Sequence, residues 1–187
     1  MAKVIVWCMV TLDGYFEGEK QWDIEFHSDG WSDELNVLSK SFGNEASLLM
    51  FGRVTYEGMK SYWTTTTEEE GETKRYMNAL PKLIASRTFT SSDWNNTRMT
   101  SDPVADLARL RKEPGKNIYI FGSAALADSL MKAGQIDEIM LGVVPVTIGK
   151  GNPFFKGAEG KSKFKLIEAR PLKSGTVILR YTPENVK

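Results

Sequence analysis

The sequence predicts an α/β fold, a three-layer sandwich whose mostly parallel central sheet ends in an antiparallel carboxyl-terminal hairpin. Three observations predict it. Apolar segments of strand length alternate with stretches of helical period through four units. Strand segments such as Leu48-Leu49-Met50-Phe51 and Ile118-Tyr119-Ile120-Phe121 are continuously apolar, as strands covered on both faces must be. Past Gly134 the helices stop, and two strand-like segments flank the turn signal Lys173-Ser174-Gly175.

The elements follow in order. Residues 3–10 are apolar and partly β-branched and form a buried first strand, ended by Thr11-Leu12-Asp13-Gly14, where Asp-Gly signals a turn. Residues 18–30 are polar with interspersed aromatics, and a loop of this length inside a compact domain is usually functional. Ser32 with Asp33 and Glu34 starts a helix to about residue 42, with Leu35 and Leu38 on one face. A second strand covers 47–51 and a helix 54–62. The polar run 64–70 is a surface segment before a helix over 72–80. A third strand covers 81–86. Asp102-Pro103 opens a helix by the cap-then-proline rule, with Val104, Leu107, Ala108 and Leu110 facing inward. A fourth strand at 117–121, a helix over 123–133 closed by Gly134, and an apolar strand at 138–146 precede the hairpin of 164–169 with 176–181.

Composition excludes several function classes. Lysine plus arginine and aspartate plus glutamate number 24 each, so no overall field attracts nucleic acid or an acidic membrane, and any anion site must be local. Cys8 is the only cysteine, which excludes an internal disulfide and a cysteine-rich metal cluster and fits a reducing compartment. No apolar stretch reaches spanning length and the amino terminus lacks a signal-peptide pattern. The expectation is one domain over residues 1–187, cytoplasmic, acting on a small molecule and holding no metal.

Two junctions carry the chemistry. In Leu48-Leu49-Met50-Phe51-Gly52-Arg53-Val54-Thr55 an apolar strand breaks at glycine and opens a helix, whose first N–H groups are unpaired and carry a partial positive charge. Arg53 adds a planar, permanently charged fork for phosphate oxygens. Phe121-Gly122-Ser123-Ala124-Ala125 repeats the design, so the pair suits a ligand with two phosphates.

With Thr11-Leu12-Asp13-Gly14-Tyr15, Ser86-Arg87-Thr88 and the segment 144–151, these junctions occur in an order that resembles the dihydrofolate reductase superfamily, particularly stand-alone relatives of its riboflavin-biosynthesis reductase domain. The resemblance spans nearly the whole chain. It implies NADPH at the carboxyl ends of the strands, with Gly52, Arg53 and Thr55 on its phosphates. Ser86, Arg87 and Thr88 would surround the adenosine 2′-phosphate, and Gly122, Ser123, Ala124 and Ala125 would face the pyrophosphate. Dihydrofolate reductases usually carry paired glycines where this chain has Gly122-Ser123, which favours the riboflavin-type relatives. The chain also begins at the first reductase strand with no deaminase domain ahead of it, unlike the two-domain riboflavin enzyme.

The function implied is an NADPH-dependent reductase of a small, flat heterocycle, with or without a phosphoribosyl group, resembling 5-amino-6-(5-phosphoribosylamino)uracil reductase. Dihydrofolate reductase activity is a second reading, and a nucleotide-binding module without turnover a third. Asp13 is a candidate proton donor because the first strand delivers it to the sheet's carboxyl edge; its other reading is the polar half of an Asp-Gly turn. Glu34 and Asp33 are candidates because their helix resembles the acid-bearing helix of dihydrofolate reductases; the alternative is a cap complementing the helix dipole. His27 reads as solvated and Cys8 as an inert core thiol. Tyr15, Trp22, Phe26 and Trp31 are candidates to line a substrate pocket, and Lys150 to approach a substrate phosphate. The strand at 138–146 and the terminal hairpin are expected to supply a homodimer interface.

Overall fold

A computed structural model describes residues 2–67, 71–113, 115–156 and 161–184; residues 68–70 of the expected polar run lie outside these. In chain order the elements are β1 (Val4–Thr11), β2 (Tyr15–Glu17), α1 (His27–Gly30), α2 (Asp33–Glu45), β3 (Ala46–Gly52), α3 (Arg53–Thr65), α4 (Gly71–Ala79), β4 (Lys82–Ala85), β5 (Thr97–Thr100), α5 (Pro103–Leu110), β6 (Asn117–Phe121), α6 (Ala124–Lys132), β7 (Glu138–Val144), β8 (Asn152–Pro153), β9 (Lys163–Pro171) and β10 (Val177–Glu184). The main sheet has the order β5-β4-β3-β6-β1-β7-β10-β9, and β2 pairs with β8 in a separate ribbon. Neighbours from β5 to β7 run parallel, whereas β10 is antiparallel to β7 and to β9. This is the three-layer, dihydrofolate reductase-like sandwich expected.

Each face of the sheet buries its own cluster. On one, Val4, Val6, Leu48, Met50, Ile118 and Ile120 pack beneath α5 and α6 through Leu107, Leu126 and Leu130. On the other, Ile5, Leu49, Phe51, Tyr119 and Phe121 meet Leu35, Phe42, Tyr56 and Met77 of α2, α3 and α4. Successive strand residues alternate between the two clusters, which is why these strands had to be apolar throughout. Helix starts follow local chemistry: Ser32 Oγ accepts the Leu35 N–H at 3.2 Å ahead of α2, and an Asp102 carboxylate oxygen accepts the Ala105 N–H at 3.0 Å ahead of α5.

Several expectations need correction. β5 is an additional edge strand; three of its four residues, Thr97, Arg98 and Thr100, are polar, as suits a strand paired on one side only. The long loop contains the short helix α1 and is preceded by β2, which pairs with β8. Ala108 is exposed, since α5 turns only Val104, Leu107 and Leu110 inward. The strand at 138–146, expected at an interface, is β7, paired on both sides by β1 and β10 and almost wholly buried. β9 is the last strand of the sheet, and it exposes Leu166 and Ile167.

Candidate functional site

β3 and β6 lie side by side with Met50 opposite Ile120, so their carboxyl ends, Gly52 and Phe121, reach the same sheet edge. From β3 the chain proceeds outward to β4; from β6 it crosses β1 to β7. The connections thus leave in opposite directions, with α3 on one face and α6 on the other, and the crevice between such strands is where open α/β sheets hold ligands.

The two glycine junctions, far apart in sequence, meet in this crevice. Ser123 Oγ accepts the Gly52 N–H at 2.9 Å and donates to Thr55 Oγ1 at 2.7 Å. Gly122 donates its N–H to the Trp7 carbonyl at 2.9 Å and has φ +55°, the left-handed region that glycine occupies without penalty. Ser123 follows in the same region, φ 54° and ψ 57°, with 8% of its surface exposed. Neither α3, which starts after Gly52, nor α6, which starts after Ser123, has a side-chain cap. Two uncapped helix N-termini therefore open at one place, and each presents N–H groups without intrahelical acceptors.

The remaining predicted cofactor residues surround it. Arg53 is 46% exposed and its Nη1 contacts both carboxylate oxygens of Glu57 at 2.9 Å. Ala85 lies opposite Gly52 in the neighbouring strand, so Ser86-Arg87-Thr88 emerges beside the first junction. Ser86 Oγ accepts the N–H groups of Phe89 at 3.0 Å and Thr88 at 3.3 Å, shaping a turn on which Arg87 and Thr88 are exposed. Arg87 forms no ion pair among the described residues. Ala124 is buried and Ala125 exposed at the start of α6. All ten residues stand just at or beyond the carboxyl ends of three neighbouring strands, β4, β3 and β6, with Arg53 and Thr55 in the first turn of α3 and Ala124 and Ala125 in that of α6.

A cavity of about 490 Å³ lies between the loop after β2 and the segment after β7, lined by Glu19, Asp23, Glu25, Phe26, Asp29 and Lys150 among others. None of the ten crevice residues lines it. One wall is held by Asp13, whose carboxylate accepts the N–H groups of Gly149 at 2.8 Å and Ile148 at 3.2 Å and the Thr11 hydroxyl at 2.5 Å. The Thr11 hydroxyl, followed by the Gly149 and Ile148 N–H groups, holds the Asp13 carboxyl below the usual carboxylate range. The carboxylate is thus engaged as an acceptor of three hydrogen bonds. Glu34 is elsewhere: its carboxylate accepts the Lys173 N–H at 2.7 Å, and Ser174 and Thr176 donate to the Gly30 carbonyl at 3.0 and 3.1 Å. It ties the start of α2 to the β9–β10 turn and is not brought together with Asp13.

Other candidates are sorted by packing. His27 is mostly buried rather than solvated, lies edge-on to Phe26, leaves Nε2 without a partner, and is pushed down to about 4 by burial. Cys8 is buried in β1 and its thiol is pushed up by burial, which makes it inert. Lys150 pairs with Glu19 at 2.6 Å. Phe26 lines the cavity, Tyr15 reaches the Gly149 carbonyl at 3.5 Å, and Trp31 is half exposed. Trp22 packs instead on Gly58 of α3, and its backbone N–H donates to the Glu17 carboxylate at 3.0 Å. The sequence signal for that contact was a glycine inside an otherwise regular helix. Among the described residues no group of three or more histidine, cysteine or carboxylate side chains is placed to hold a metal ion, and no helix is long and apolar enough to cross a membrane.

Comparison with known proteins agrees with this fold. The model of the RibD C-terminal domain family matches residues 2–178. The Bacillus subtilis protein YyaP is 27% identical over 184 residues, covering 96% of this chain and 94% of its own. The crystal structure of a diaminohydroxyphosphoribosylaminopyrimidine deaminase/5-amino-6-(5-phosphoribosylamino)uracil reductase from Thermotoga maritima superposes with a TM-score of 0.70 at 15% identity, over 98% of this chain and 57% of that one. Dihydrofolate reductase from Enterococcus faecalis, in complex with NADP(H) and RAB-propyl, superposes with a TM-score of 0.64 at 12% identity, over 98% and 97%.

Proposed function

The chain belongs to the RibD C-terminal domain family, within the dihydrofolate reductase-like superfamily, and from that premise we propose that it is an NADPH-dependent reductase of a small heterocycle. The observation that carries this reading is the meeting of two uncapped helix N-termini at the topological switch point, joined through Ser123. Two such N-termini side by side fit a pyrophosphate, and Arg53 beside them fits its charge. Arg87, exposed on the adjacent turn, is the cation for a terminal 2′-phosphate, with Ser86 and Thr88 shaping that turn. A nicotinamide bound here would supply the hydride.

This chain's own residues bind, orient and enclose. Asp13, ionised, fixes the loop at 148–149 that walls the substrate cavity, and Glu34 fixes the start of α2. We assign both carboxylates to positioning rather than to proton donation, because Asp13 accepts two backbone N–H groups and Glu34 accepts one. The cavity narrows the substrate. Glu19, Asp23, Glu25 and Asp29 face it against Lys150, which Glu19 already pairs, so its walls suit a heterocycle bearing N–H donors and repel a phosphate. The phosphate of a phosphoribosyl substrate therefore lies away from these walls. A homodimer through the β9 edge completes the reading, and sedimentation of the 21.0 kDa chain tests it.

The deciding experiment is parallel titration with NADPH and NADH, followed by quenching of tryptophan fluorescence. Saturable binding selective for NADPH is expected, with cofactor oxidation on addition of an aminopyrimidine substrate. Binding of neither nucleotide overturns the reading. Binding without hydride transfer to any pyrimidine or pterin would identify a nucleotide-binding module instead.

A further inference from the structure

We infer that Ser123 is a positioning residue that acts through Thr55, turning the Thr55 hydroxyl proton toward a cofactor phosphate; this rests on the NADPH reading of the crevice and deepens it. A serine hydroxyl has one proton and two acceptor positions. The Gly52 N–H, which can only donate, occupies an acceptor position of Ser123 Oγ at 2.9 Å. The Ser123 proton goes to Thr55 Oγ1 at 2.7 Å. Thr55 is then left with its own proton, and no acceptor for it exists among the described residues.

The result is a one-way chain, Gly52 N–H to Ser123 O–H to Thr55 O–H, in which each bond polarises the next. It ends in a donor on the first turn of α3, where the helix dipole already favours an anion. What completes it is an acceptor bearing negative charge. A phosphate oxygen has that chemistry.

The conformation of Ser123 supports the same assignment. Left-handed backbone disfavours a residue with a Cβ, and glycine would make this turn without strain. A serine preceding a helix ordinarily accepts an N–H from its own first turn. Ser123 instead directs its hydroxyl across to β3 and α3, which leaves the first N–H groups of α6 without a side-chain cap. Its role is thus to organise the Thr55 donor while keeping the second N-terminus open.

A binding cycle tests this with wild type, Ser123→Gly, Thr55→Val and the double variant, each titrated with NADPH and each melted to verify folding. Ser123→Gly is expected to weaken NADPH binding about tenfold, the scale of one hydrogen bond to a charged group. Thr55→Val is expected to weaken it at least as much, and the double variant no further than Thr55→Val alone. Thr55→Ser, which keeps the hydroxyl, is expected to stay within about twofold of wild type. If the glycine variant melts below the assay temperature, Ser123→Ala takes its place in the cycle. Unchanged affinity on losing the Ser123 hydroxyl, or losses that multiply in the double variant, would overturn the inference while leaving the NADPH reading intact. Failure of wild type to bind NADPH would overturn both.

Discussion

The indole of Trp22 lies against Gly58 so closely that a methyl group added at Gly58 would stand 1.8 Å from Trp22 Cε2. Gly58 is on α3, the helix that opens at the crevice; Trp22 is on the loop whose next residues, Asp23, Glu25 and Phe26, line the cavity. The wall of the proposed substrate cavity therefore rests on the helix proposed to bind the cofactor.

Gly58→Ala separates packing from helix propensity. In an exposed helix the change would stabilise by up to about 1 kcal/mol. Here the methyl must displace Trp22, and a loss of roughly 1 to 3 kcal/mol is expected in urea denaturation, with a red shift of tryptophan emission. A variant more stable than wild type would show that the indole does not occupy this place in solution.

Arg53 and Glu57 are paired at 2.9 Å on the surface, an interaction worth only a few tenths of a kcal/mol. Arg53→Ala is expected to weaken NADPH binding about tenfold with little effect on melting. Glu57→Gln is expected to do the opposite: freed of its carboxylate partner, Arg53 meets the phosphate at lower cost and affinity is equal or higher. Weaker binding in Glu57→Gln would show that the carboxylate contributes directly.

Lys82 is fully buried, and its ammonium donates to the carbonyls of Leu80 at 2.8 Å, Asn95 at 3.1 Å and Asn78 at 3.2 Å, with the Trp94 ring 4.5 Å away. It joins the end of α4 to the segment entering β5. Lys82→Met fills similar volume but leaves buried carbonyls without donors, so a loss of roughly 2 to 4 kcal/mol is expected from chemical denaturation. Burial lowers the ammonium to about 8, below its unfolded value of 10.5. The unfolded chain then binds more protons between those values, so this group makes stability rise, not fall, from about pH 8 to pH 10.5.

His27 supplies an acid limit. Burial depresses it from 6.5 to about 4, so as pH falls through this window the unfolded chain takes up a proton that the folded chain refuses. Stability is expected to drop by at most about 3 kcal/mol from this group between pH 6.5 and pH 4. His27→Gln should flatten that part of the curve, as read by urea midpoints against pH; an unchanged slope would show that His27 is accessible in the folded state.

By itself the sequence determined the layered α/β fold, the buried strands and both glycine junctions. Those features are written locally: continuous apolar runs need cover on two faces, and a glycine between strand and helix marks a turn whatever surrounds it. Only the tertiary structure decided what the junctions do to each other. Ser123 and Thr55 are 68 positions apart, Asp13 and Gly149 136, and nothing local to any of them encodes the contact. The same holds for β5, whose polar residues resemble loop until β4 lies beside them, and for His27 and Lys82, polar side chains that the folded chain buries. Periodicity reports which face of an element is covered; which partner covers it depends on sheet order, and sheet order emerges only when all the strands compete for one core.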